Sequence, residues 1–326
     1  MLGTAGAPPS LAATGVWAVD GGGNWDTPAD WTGSVPVGPF AEASFLGSLR
    51  TPANAPARVD FVGDRTLRKL VIDNELSYLF ASPTRDDIVL DDGTGTAQFR
   101  VLSGTHGTPE EILVSSNAVA EIRSRFDVGI VRVNDRTATF FKTGPGVLDV
   151  GGQVPGAGLF MNGSAVEVQE GTISSNAVRG GFLRIMSGGR IRIKPNGTAS
   201  NASDLFGLDI EPGGTFDLSD NDLVVDFLPP DTASTAMARI VEDMRSARNS
   251  AAGRWLGTGL TSSAAAANPL TTLAAVPGLS PWEILVKYTY NGDATVDGRI
   301  NSDDYFRIDA GFLAQPPNPG FRDGDW

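Results

Sequence analysis

The chain has no cysteine, which removes disulfide frameworks, thiolate metal sites and cysteine nucleophiles together. Its one histidine, His106, sits in "SGTHGTP" with no serine or cysteine nucleophile pattern beside it, and reads as a solvated loop side chain rather than a general base. Positive charge is scarce: 25 Lys and Arg stand against 38 Asp and Glu, for a net charge of −13. Without a long basic run, nucleic acid and anionic membranes are poor partners, and a cation is the natural one. No apolar run approaches the roughly 20 residues of a membrane helix. The opening "MLGTAGAPPSLAATG" lacks the basic flank and long apolar centre of a signal peptide, so a signal is expected to have been removed, or the chain to be a fragment.

What the chain has in quantity is glycine (40) and proline (21), with much Thr, Ser, Val and Asn, which favours many short strands joined by turns. Its 326 residues are enough for a substantial core. From Trp17 to about Leu49 the sequence is rich in Gly, Pro and Trp, and reads as a loop-rich cap pinned by Trp17, Trp25 and Trp31. Short alternating runs follow: "RKLVIDN" (68–74), "DIVLDD" (87–92), "AQFRVLSG" (97–104), "EILVSS" (111–116), "AEIRSRFDVGIVRVN" (120–134) and "ATFFKTGPGVLDVGG" (138–152). The pattern continues through 164–175, 181–198 and 205–227. Alternation puts one face of each strand inward, and Gly-Gly, Pro-Gly or Asn-Gly closes most runs.

This spacing predicts an all-β body, either a β-solenoid or an elongated β-sandwich. Periodicity alone does not separate them, though the similar Gly-Gly units along the chain lean toward the solenoid. After Phe227, apolar residues at Met237, Ile240, Val241 and Met244 mark one amphipathic helix over 234–250. The small-residue stretch 262–282 reads as a connector and the best domain boundary. The expected organisation is an extended N-terminal segment (1–16), a β-rich body (17–227), a helix and connector (228–282), and a final strand with an aspartate-rich segment (283–326).

That last segment, "YNGDATVDGRINSDDYFRIDAGF", has the ligand spacing of a calcium loop, in which alternate oxygen donors converge around a glycine turn and a carboxylate closes at the twelfth position. Asp293, Thr295 and Asp297 occupy the first, third and fifth places. Gly298 makes the turn, Arg299 offers its carbonyl, Asn301 is ninth and Asp304 twelfth. The neutral Thr295 and the short arm of Asp304 lower the expected affinity. A metal-free acidic turn is the alternative, since Asp-Gly turns are common, but the full spacing is not common and favours calcium. Tyr305, Ile308 and Phe312 predict a short helix after the loop, and "EILVKYTY" predicts a strand before it.

Strand, "GDATVDGRINSDDY" and short helix together resemble a dockerin-type, EF-hand-like repeat, in which Asp closes the loop and a second loop usually follows. Here "FRDGDW" reads as the start of one, with Asp325 its first ligand. "KTGPGVLDVGG" (142–152) is similar to the autotransporter-associated β-strand repeat. With "NWDTPADWTGSVP" (24–36), "GGTFDLSDNDLVVDF" (213–227), "GLTSSAAAANPLTTL" (259–273) and "LVKYTYNGDATVDG" (285–298), the chain resembles secreted strand-repeat proteins of planctomycetes. The resemblance implies an extracellular or cell-surface protein without enzymatic activity.

The expected function is therefore structural: a self-assembling, fibre-type subunit with a calcium-stabilised end. Homo-oligomerisation would run head to tail, with residues 3–19 adding as a strand to a neighbour and with "LVVDF" and "EILVKYTY" as little-protected edges. The alternatives are a carbohydrate-binding module using the three tryptophans, a monomer tethered by its dockerin-like end, and a polysaccharide-degrading β-helix using Asp86, Asp87, Asp91 and Asp92. Sequons at Asn162, Asn196 and Asn201 lie near turns, where a glycan would be accessible.

Overall fold

The alternating runs form strands, and most of the strands stack in parallel. The computed structural model describes residues 13–19, 22–38, 40–46, 57–63, 65–67, 69–73, 78–81, 87–90, 99–102, 111–114, 118–121, 125–128, 130–133, 136, 139–151, 158–197, 202–316 and 320–323, with the backbone alone between 71 and 130. Among these residues strand predominates and there are three α-helices; no helix is long and apolar enough to cross a membrane. His106, Asp86, Asp91, Asp92, Asn201 and Asp325 lie outside the described residues, as does the side chain of Asp87.

Between 111 and 261 successive strands return to three ladders. The first holds Glu111–Val114, Ile130–Val133 and Leu159–Phe160, then the beginnings of Val178–Ile185 and Ser203–Ile210, then Leu223–Asp226, all parallel. A second holds Ala118–Glu121, Thr139–Thr143, Ala165–Val168 and the later halves of the two long strands. The third runs through Arg125–Val128, Val147–Val150, Gly171–Ser175, Gly189–Ile193, Thr215–Asp217 and Gly259–Thr261. Upstream, Thr14–Trp17, Glu42–Leu46 and Lys69–Asp73 pair in parallel, as do Gly23–Asn24, Ala57–Asp60 and Tyr78–Ala81. Thr14–Trp17, partly within the expected extended segment 1–16, is thus a paired strand, and residues 1–12 of that segment lie outside the described residues.

Because the register is kept from strand to strand, like residues stack on like. Leu148, Ile173, Ile191, Phe216 and Leu260 are consecutive partners down the third ladder, and all are fully buried. Each such side chain stabilises the fold by about 1.5–3 kcal/mol relative to exposure. In the second ladder one inward position is not apolar. Lys142 is fully buried, and its Nζ donates to the carbonyl oxygens of Thr143 (3.0 Å), Gly144 (2.6 Å) and Glu170 (2.8 Å). Burial lowers its pKa to about 8, with the Glu170 charge pulling the other way. The ammonium thereby ties together the turns of two successive layers.

The N-terminal aromatics pack as a cluster. Trp31 meets Trp17 and Trp25 edge to face at 5.0 and 4.9 Å, and its Nε1 donates to the Trp25 carbonyl (2.8 Å) while Trp25 Nε1 donates to that of Pro36 (3.0 Å). With Trp17 and Trp25 at 0% exposure and Trp31 at 5%, no ring face is open to a sugar, which corrects the tryptophan-platform expectation.

At the other end, helix α1 (Ala233–Arg248) starts at a Thr232 capping box and buries Ala236, Ile240 and Ala247, close to the helix expected over 234–250. Its Asp243 lies near other acids. Burial, then the charges of Asp209 and Glu242, raise its pKa to about 6, against a smaller opposite pull from Arg239. A raised carboxyl favours the fold below its unfolded pKa and loses that contribution as pH rises from about 4 to 6. Asp243→Asn is therefore expected to be neutral near pH 4 and to stabilise by about 2 kcal/mol above pH 7, after discounting for solvent screening; urea denaturation at the two pH values checks this.

Two expectations fail here. The stretch 262–282 is not a bare connector, since it contains α2 (Ser263–Ala267) and the strand Thr271–Pro277. That strand pairs antiparallel along its full length with Glu283–Tyr290, which pairs in turn with Leu223–Asp226. The strands expected as bare edges are thus interior to the sheet. Local alternation records which face a strand buries, but not whether both of its edges are taken.

Candidate metal centre

The aspartate-rich segment leaves the strand Glu283–Tyr290, turns through 291–301 and enters helix α3 (Ser302–Ala314), so strand, loop and helix follow in the expected order. Asp293 and Asp304 are buried, at 0% and 1% exposure. Asp293 Oδ1 accepts from the Asp297 N–H (3.1 Å) and Oδ2 from the Gly298 N–H (2.8 Å), while the Thr289 hydroxyl also donates to Oδ2. Asp304 Oδ1 accepts from the N–H and the hydroxyl of Thr295, both at 2.9 Å, and Oδ2 from the Asn301 N–H (2.7 Å). The Thr295 hydroxyl lies 3.4 Å from Asp293 Oδ1, so this one oxygen stands between the two carboxylates. Burial by itself would raise the Asp304 carboxyl, but the Thr295 and Asn301 hydrogen bonds together hold it below the usual carboxylate range.

The other expected donors are differently engaged. Asp297 is exposed, and its Oδ1 accepts from the Arg299 N–H (2.9 Å). Asn301 is the N-cap of α3, its Oδ1 accepting from the Asp303 N–H (2.8 Å), with Asp304 completing a capping box. Among the described residues no three carboxylate, histidine or cysteine side chains converge closely enough to hold a metal. The donor set nonetheless fits calcium in kind, being all oxygen with two buried carboxylates. Neither carboxylate has an ion-pair partner among the described residues, and buried charge without a counter-ion is costly.

Three residues outside the sequence expectation complete the site. Thr289 donates to Asp293 from the preceding strand; its inward position is legible from alternation, its partner is not. Val296 adopts φ +64°, a left-handed conformation that a β-branched residue resists, and is held by packing with Ala274, Val276 and Phe321 in a small second core. Lys287 Nζ donates to the Val296 carbonyl (3.1 Å). Of the sequons, Asn162 and Asn196 are exposed, but the Ser164 hydroxyl of the first is buried and donates to the Val133 carbonyl (3.0 Å). No family model, curated protein or solved structure matches the chain.

Proposed function

We propose that the chain is a non-catalytic structural module of an extracellular or cell-surface protein: a capped β-solenoid whose C-terminal loop binds one calcium ion. The solenoid reading is supported by the parallel return of strands 111–261 to three ladders with register kept, where a sandwich would pair its strands antiparallel. The observation that carries the calcium reading is the pair of buried carboxylates, Asp293 and Asp304, on either side of the Thr295 hydroxyl, neither with an ion-pair partner among the described residues. Asp293, Thr295, Asp297, Asn301 and Asp304, with the Arg299 carbonyl, would hold the ion. It would supply the missing countercharge and fix α3. A weak site of this donor composition suits extracellular calcium, where modules bind at about 10⁻⁴–10⁻³ M.

The two strands first read as open edges are each paired on both sides, so the reading does not include fibre growth by strand addition at those two strands. Negative-stain electron microscopy in calcium and in chelator is expected to give discrete particles in both; ordered fibres would overturn this part of the reading. One observation favours tethering through the C-terminal segment as a second reading. On α3, Phe306, Phe312 and Leu313 are 77%, 73% and 81% exposed. Its test is truncation after Tyr290, not before Glu283, because that strand belongs to the body.

A further inference from the structure

The strand Thr271–Pro277 is the last in its sheet, and among the described residues nothing pairs with its outer edge. The parity of its inner edge is set by hydrogen bonds from Asn291 N–H to the Leu270 carbonyl and from Gly278 N–H to that of Glu283, both 2.9 Å. In an antiparallel ladder, alternate residues face the partner strand. With Leu270 and Gly278 turned inward, Leu273 and Ala275 turn their N–H and C=O groups outward. At Thr271 the outward groups are already used, the N–H donating to Asn268 (3.1 Å) and the carbonyl accepting from Arg254. The Leu273 carbonyl also accepts from the Thr272 hydroxyl (3.3 Å), so the free outward groups are the Leu273 N–H and the N–H and C=O of Ala275, which lie deep, in residues 2% and 8% exposed.

That edge opens into a groove of about 1060 Å³. One wall is α1, with Met237, Val241 and Met244; the other is formed by Phe321, Arg322 and Arg307. Residues from both faces of the edge strand line it, Leu273 and Ala275 with Thr272 and Val276, so the groove, or slot, straddles the edge. The slot is basic in an acidic chain: Arg245, Arg248, Arg307 and Arg322 line it against Glu242 and Asp323. Arg245 is engaged with Glu242 (2.6 Å), whereas Arg248, Arg307 and Arg322 have no ion pair among the described residues. Arg322 Nε is buried with no hydrogen-bond partner. Burial, and then the nearby Arg307 charge, lower the Arg322 pKa, a sign of two like charges held close together.

We propose that this slot receives an extended acidic segment of a partner protein, which adds as a further strand at Leu273 and Ala275 and sets carboxylates against Arg307 and Arg322. Strand addition satisfies the outward backbone groups, and alternate side chains of the guest meet the apolar α1 wall and the arginine wall. A carboxylate between the two guanidiniums relieves their repulsion and gives Arg322 Nε an acceptor. Unpaired backbone donors and acceptors select a peptide over an acidic glycan, which has no ladder to offer. The inference stands apart from the calcium reading.

The test is fluorescence anisotropy on the full chain with a labelled alternating Val-Asp peptide of about eight residues, a Val-Lys peptide of equal length, and polygalacturonate as competitor. The Val-Asp peptide is expected to bind and the Val-Lys peptide not to bind. Arg307→Ala with Arg322→Ala is expected to weaken binding about tenfold or more. Ala275→Pro, which removes an outward N–H that edge strands can spare, is expected to abolish it. Thermal melts check that each variant folds; Arg307 is exposed and Arg322 half-buried, and the Arg307→Ala single variant, expected to weaken binding in the same direction, keeps the test decisive if the proline or double variant unfolds. Equal binding of the two peptides would overturn the proposal. So would a folded Ala275→Pro variant that binds like wild type while polygalacturonate competes fully, the behaviour of a glycan-binding anion patch.

Discussion

Gly171→Ala is expected to destabilise the β body by about 3 kcal/mol or more, as the sum of a left-handed backbone penalty and an overpacking term. Gly171 has φ +70°, and a Cβ there would lie 2.5 Å from the carbonyl oxygens of both Gly144 and Gly146 and 2.7 Å from Lys142 Nζ. Two of those three atoms are backbone in the neighbouring layer, so relief requires the layers to part. The third is the ammonium that ties the same turns together. Gly188→Ala separates the two contributions: φ is +88° but nothing lies within 4 Å of its Cβ position, so only the backbone penalty of about 1 kcal/mol applies. Urea denaturation of both variants checks the account, and equal midpoint shifts would show that the layer contact does not matter.

Asp293→Ala is expected to have an effect that depends on calcium. In chelator, the N–H groups of Asp297 and Gly298 lose their acceptor, at about 1–3 kcal/mol each, while removal of an unpaired buried charge offsets part of this. A net loss of about 2 kcal/mol follows from these opposed contributions. In calcium at a hundredfold excess over Kd, wild type alone gains about 2.7 kcal/mol, so the gap widens to nearly 5. Thermal unfolding of both proteins in both conditions reads this directly. A gap that does not change with calcium would mean that Asp293 serves only as a turn-former.

The acidic loop was legible because its chemistry is local. Spacing marked Asp293 and Asp304, which are buried on either side of Thr295, and the Tyr305, Ile308, Phe312 pattern placed the helix. What spacing did not carry is that Asn301 and Asp304 also cap that helix, or that Val296 docks the loop against Ala274 and Val276. Those depend on a strand that small residues disguised: Thr271–Pro277 has the composition of a connector and became buried strand because two neighbouring surfaces cover it. The tryptophans show a related limit, since Gly- and Pro-rich flanks mark a loop but do not say whether the rings face inward. Parallel stacking was likewise beyond alternation, which fixes the face a side chain takes and not the strand that lies beside it.

The most direct measurement is a calorimetric titration of calcium into chelator-treated full-length chain. The account predicts one calcium per chain, binding lost in Asp293→Ala and Asp304→Ala, and a wild-type unfolding temperature that rises with calcium. No binding heat, together with an unfolding temperature indifferent to calcium and chelator, would contradict it and leave the two buried carboxylates as the cap and turn of α3 alone.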